Sequence, residues 1–171
     1  MAQATNLAGR FWTFLARTDV LWFSFATYMI LTLSFGVVMH VWEFLIIDEM
    51  FDPAQIRVHI ARLSQEQRTV HVALTATADV AYPFAYAAFQ AGMAYRYLGR
   101  WGRWVGLLSI FCVPVDLLEG FAQVMLLQGN EAFLALKSTV TPVKLALYIP
   151  GLMGALIAIG IAARQRFNPR G

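Results

Sequence analysis

The stretch WVGLLSIFCVPVDLLEGFAQVMLLQ, residues 104–128, decides the fold class of this chain. At ~1.5 Å per residue it is long enough to cross ~30 Å of hydrocarbon. It is apolar apart from Ser109, Gln123, the terminal Gln128 and two carboxylates near its middle, Asp116 and Glu119. An ionisable group at the centre of a membrane helix costs roughly 2.5–3.5 kcal/mol on insertion scales, so it is seldom kept without a role. The stretch therefore reads both as a membrane span and as the carrier of a site.

Composition agrees with a span. The 171 residues are 59% hydrophobic and 13% charged, against roughly 45–50% and 25% in soluble domains. Both deviations exclude an ordinary soluble domain. Three more apolar stretches, about 20–47, 70–98 and 139–163, join the one at 104–128. The expected fold is all-α: a polytopic membrane protein with a four-transmembrane-helix antiparallel bundle over residues 20–163. Residues 1–19 form an interfacial segment, in which NLAGRFWTFLAR (6–17) reads as a short amphipathic helix closed by Asp19. The first span lacks a clean cleavage site and is expected to be uncleaved. In the polar segment 48–69, Asp52 and Pro53 form an N-cap and N1 pair for a surface helix carrying Ile56, Ile60 and Leu63. Residues 164–171 read as a basic tail.

The basic residues set the topology. Arg10, Arg17, Arg96, Arg100, Arg103, Arg164, Arg166 and Arg170 lie on one side, against Arg57, Arg62, Arg68 and Lys137 on the other. The excess marks the cytoplasmic side, so both termini are expected there, in a bacterial inner (cytoplasmic) membrane. The arginines sit at the ends of apolar segments and form no basic run, which argues against nucleic acid. The lone Cys112 lies among apolar residues and reads as packing.

The ionisable residues of the spans fall together in depth. Counted from the non-cytoplasmic helix ends, His40, Glu43, Asp79, Asp116, Glu119 and Lys144 lie roughly 6–18 Å in. Helical phase agrees. Asp116, Glu119 and Gln123 share a face, as do Asp79, Tyr82 and Tyr86, and Gly36, His40 and Glu43. A polar cavity in the non-cytoplasmic half, centred on Lys144, is the expectation. Its ligand-binding candidates are Asp79, Tyr82, Tyr86, Asp116, Glu119, Lys144, His40 and Glu43. The competing reading is an ion-pair network that only fixes helix register. Pro83, Pro114 and Pro150 interrupt three spans, and Pro83 frees the carbonyl of Asp79. Pro142 reads as part of the first turn of the fourth span. His59 and His71 read as solvated. Gly151, Gly154 and Gly160 permit close helix approach, within the chain or with a partner. The spacing does not fit the paired Glu-x-x-His motif of di-iron bundles, and a nearby lysine opposes a cation, so no metal is expected. No nucleotide, haem or phosphate-loop motif indicates a cofactor.

The pattern Asp79-x-x-Tyr82-Pro83-x-x-Tyr86, Asp116-Leu-Leu-Glu119, Thr141-Pro142-x-Lys144 resembles one in small, uncharacterised bacterial four-helix integral membrane proteins, over about residues 45–150. Gly120 stands where the pattern implies an asparagine. The resemblance implies the fold and no activity. At the level of fold alone the chain is also similar to the EXPERA group of sterol isomerases and sterol-binding proteins, without a shared motif.

Three functions are open on these readings. The first is binding of a lipophilic or amphiphilic small molecule in the cavity, or service as an accessory subunit in a membrane complex or homo-oligomer, with membrane lipids as the surroundings. The second is a small membrane enzyme acting on a lipid or isoprenoid, with Asp116 and Glu119 as acids, Asp79 as second carboxylate and Lys144 as tuner. The third is a component of a proton-coupled transporter.

Overall fold

The computed structural model of the chain describes residues 2–167. These residues are mostly helical and contain no strand. Six helices follow one another: α1 (Ala2–Leu15), α2 (Thr18–Val41), α3 (Pro53–Arg62), α4 (Gln65–Tyr97), α5 (Gly102–Leu127) and α6 (Leu134–Phe167). Short 3-10 turns, Gly99–Trp101 and Glu131–Phe133, precede α5 and α6. Of the expected tail, residues 164–167 belong to α6 and residues 168–171 lie outside the described residues.

Three helices are long and apolar enough to cross a membrane: α2, α5 with its leading 3-10 turn, and α6. α4 has the length, at 33 residues, but its N-terminal third carries Glu66, Arg68 and His71, which dilutes its apolar character. The apolar side chains of α2 and α6 remain exposed on the folded chain: Phe23, Leu33, Val37, Ile149 and Ile157 are all more than half accessible. Apolar surface on this scale requires a partner other than water, and a bilayer supplies one.

Several boundaries differ from the sequence reading, each for a local reason. α2 stops at Val41 rather than near residue 47. Glu43 takes a left-handed φ of 52°, and the Phe44 N–H donates to the Met39 carbonyl at 3.2 Å. Together these form a Schellman cap. α6 begins at Leu134, so Lys137 is a helical residue and Pro142 lies well inside the helix, not in its first turn. Asp19 belongs to the first turn of α2, where it pairs with Arg17, and does not close α1. Asp52 does cap α3, accepting from the Ala54 N–H at 3.0 Å with Pro53 at N1.

The chain forms two compact units. Unit 1 takes residues up to Thr27, Ala85–Cys112, and Leu147 onward; unit 2 takes Tyr28–Phe84 and Val113–Ala146. In unit 1, Trp12 and Leu15 of α1 pack on Ala91, Leu107 and Ile110, and Trp12 stacks on Tyr95 with centroids 5.5 Å apart. Glycines make this fit possible. A Cβ at Gly106 would come 2.7 Å from the Trp12 ring, and one at Gly92 would overlap the Leu15 carbonyl. Gly151 and Gly154 of α6 meet Ser109 and Val105 of α5 with no room for a side chain, whereas Gly160 faces open space. In unit 2 the segment after α2 folds back as a cover. Ile47 and Ile56 are fully buried; Ile47 joins Phe44, Leu63 and Leu127, and Ile56 joins Leu126 and Leu134.

Candidate functional site

Three helices of unit 2 turn polar stripes toward one another. α5 presents Asp116, Glu119 and Gln123, and α6 presents Lys137, Thr141 and Lys144, both with the i, i+3/i+4, i+7 spacing that lines one helix face. α4 presents His71, Thr75 and Asp79 at successive four-residue steps. The loop after α2 adds Asp48. Most of this polar set is buried: Glu119, Lys137, Thr141 and His71 have no exposed surface, and Asp116 and Lys144 are only 6% and 5% exposed.

Glu119 is the hub. Its Oε1 accepts from the Lys137 ammonium and lies 2.5 Å from the Thr141 hydroxyl, and its Oε2 pairs with the Lys144 ammonium. Lys144 Nζ also reaches Asp48 Oδ2 at 2.7 Å and Asp116 Oδ1 at 3.4 Å. Lys137 Nζ completes its donors with the Asp48 carbonyl at 3.0 Å and Thr141 Oγ1 at 2.9 Å. Two ammoniums thus face three carboxylates at close range. Buried charges persist only when paired and hydrogen-bonded in this manner. Burial alone would raise the Asp48 carboxyl, but Lys144 and Lys137 beside it win and hold it below the usual carboxylate range.

Asp48, Asp116 and Glu119 bring one oxygen each to within 4.8 Å of one another, a spacing a cation could use. Lys144 Nζ contacts all three residues, so its ammonium takes the place a metal would need.

A cavity of about 290 Å³ opens beside this network between α4 and α5. Asp79, Asp116 and Thr75 supply its polar lining; Val80, Leu117 and Phe121 are among its apolar walls. Val80 and Phe121 are 45% and 50% exposed, so the cavity mouth is apolar. Gly120 also lines it, and a Cβ there would stand 3.5 Å from Asp79 Oδ2. The glycine that departs from the resembled pattern thus leaves room next to Asp79. Deeper along α4 and α5, Gln123 Nε2 donates to Thr75 Oγ1 at 3.1 Å and lies 3.1 Å from His71 Nε2. His71 is therefore a core residue held against Phe44, not a solvated one.

The eight expected ligand residues do not all converge. Asp116, Glu119 and Lys144 share the ion-pair network, and Asp79 joins Asp116 at the cavity. Tyr82 packs between Tyr28 and Phe35 at 5.3 Å from each, with its hydroxyl 3.3 Å from Thr32 Oγ1. Tyr86 belongs to unit 1, where it donates to Cys112 Sγ at 3.1 Å and meets the Tyr148 ring edge-on. His40 and Glu43 are exposed and line an open groove with His59, Arg62 and Gln67. The groove does not include the ion-pair residues. Glu43 follows the end of α2, so it shares no helix face with Gly36 and His40.

Lys137, Asp48 and Thr141 join the candidate site without having stood out as site residues in the sequence. Lys137 and Thr141 form an i, i+4, i+7 stripe with Lys144, a signal that depends on α6 beginning as early as Leu134. Asp48 carries no sequence signal, since a loop residue reaches Lys144 across 96 positions only through the tertiary fold. Comparison of the chain with protein-family models, curated proteins and solved structures gives no match.

Proposed function

We propose that this chain is a multi-pass protein of the bacterial inner membrane with four spans, α2, α4, α5 and α6, and both termini cytoplasmic. In this reading unit 2 binds a lipophilic or amphiphilic small molecule, whose polar group enters the α4–α5 cavity and meets Asp79 and Asp116. The observation that carries it is the cavity itself: about 290 Å³, carboxylates inside and exposed Val80 and Phe121 at the mouth. A ligand dissolved in lipid reaches such a mouth without crossing water. The Lys137–Glu119–Lys144 network holds the neighbouring helices and positions Asp116; Asp79 meets the ligand.

A membrane enzyme is the second reading. It draws on the same pair, since Asp116 is tied to Lys144 while Asp79 lines the same cavity, two carboxylates in different surroundings. A proton-coupled transporter is less well supported. The buried charged side chains among the described residues all belong to unit 2, and the buried polar side chains of unit 1 are the neutral Ser24, Gln90 and Ser109.

Native mass spectrometry of gently purified protein tests the binding reading, with wild type beside Asp79→Asn and Gly120→Leu. A small molecule that co-purifies with wild type is expected to be lost in both variants, which remain folded. Retention of the same molecule in Gly120→Leu would place it elsewhere and remove the proposal. A stoichiometric protein partner in place of any ligand would favour an accessory subunit.

A further inference from the structure

Unit 1 carries a groove of about 570 Å³, well inside the roughly 300–1,000 Å³ typical of ligand sites. It runs along three helix ends: the first turns of α2, the last turns of α4 and the last turns of α6. Its base is apolar, with Leu21, Phe89 and Met93 buried at 7–8% exposure. Its polar lining is Thr18, Tyr97 and two arginines, Arg96 and Arg166, and among the described residues no acidic one lines it. An apolar trough that ends at two cations has the outline of a lipid, chain first and phosphate last.

Arg96 is already anchored on one side, donating through one terminal nitrogen to Thr18 Oγ1 at 3.0 Å and the Ala16 carbonyl at 3.3 Å. A guanidinium has five N–H donors, so this anchoring orients the group and still leaves donors for a bidentate contact with phosphate. Arg166 adds the second charge from α6. Basic pockets between membrane helices are a recurrent solution for acidic lipid headgroups.

We propose that this groove binds an acidic phospholipid of the bilayer, one acyl chain on Leu21, Phe25, Phe89 and Met93 and the phosphate taken by Arg96 and Arg166. The site is independent of the α4–α5 cavity and of its ligand.

The test is native mass spectrometry of delipidated full-length protein titrated with phosphatidylglycerol or phosphatidylcholine. Arg166→Gln removes one headgroup cation. Arg164→Gln, in the same last turn of α6 but outside the groove lining, controls for diffuse charge. Ala162→Phe fills the groove. One phosphatidylglycerol per chain is expected, in preference to phosphatidylcholine. Arg166→Gln should weaken it about fivefold, the worth of one basic residue at an anionic lipid surface. Arg164→Gln should leave it unchanged, and Ala162→Phe should abolish it. Equal binding of the two lipids overturns the proposal. So does an equal loss in Arg164→Gln and Arg166→Gln, or undiminished binding in Ala162→Phe.

Discussion

At the scale of single residues, Glu119 matters most. It is fully buried and pairs with two ammoniums and a hydroxyl. Removing its charge takes from Lys137 the carboxylate it pairs with and leaves Lys144 with Asp48 and Asp116, in the core of unit 2. Breaking a buried ion pair from one side typically costs about 3–5 kcal/mol. Glu119→Gln is expected to lose about that much stability in detergent unfolding, and a loss below about 1 kcal/mol would contradict the pairing. Asp48 gives a pH signature. Its folded carboxyl titrates below the ordinary value of 3.8. The stabilisation it brings is therefore complete above that value and disappears as pH falls through the lowered folded value. The stability gap between wild type and Asp48→Asn should stay constant from pH 7 to about 5 and close only in stronger acid, as read by thermal unfolding across pH. Asp116, Glu119 and Lys144 were legible in the sequence because a charge stands out against an apolar helix. Asp48 was not, because a loop acid looks solvated until the fold brings Lys144 to it.

At the scale of elements, α6 shows how small residues set helix spacing. Gly151 lies against Ser109 and Gln90, and Gly154 against Val105, within unit 1. Gly151→Leu must displace these neighbours, and overpacking of this kind costs about 1–3 kcal/mol. Gly160 has nothing within 4 Å of a would-be Cβ. Gly160→Ala should therefore be neutral or stabilising, by up to about 1 kcal/mol from helix propensity alone. Unfolding midpoints of the two variants in one detergent check both statements. Equal destabilisation would mean that Gly160 meets a partner outside the chain. Most element positions were legible from hydrophobic length and caps, Asp52–Pro53 before α3 being the clearest. The ends of α2 and α6 were not. A glutamate in the left-handed region ends α2 without a glycine to announce it. The polar run 129–131 hides the early start of α6.

At the scale of the whole molecule, three helices have span-like length and apolarity, and α4 is the helix on which the proposed four-span topology depends. Its polar first turns, with Asp79 and His71 turned toward the interior of unit 2, lower its hydropathy. The topology makes a direct prediction. With Cys112 replaced by serine, single cysteines introduced at Arg100 and Arg164 should react with an impermeant thiol reagent from one side of sealed vesicles, and one at Glu131 from the other. Labelling of Arg100→Cys and Glu131→Cys from the same side would mean that α5 does not cross.

Under the proposed topology, the pairing of Glu119 with two lysines bears on how the chain is made. α5 emerges from the ribosome with Asp116 and Glu119 and no counter-charge from α6; α6 follows with Lys137 and Lys144. Either helix inserted alone would carry two uncompensated charges, each costing roughly 2.5–3.5 kcal/mol where it lies at a helix centre. Inserted as a hairpin, the charges meet their partners. A nascent chain that stops short of α6 would leave Asp116 and Glu119 without those ammoniums.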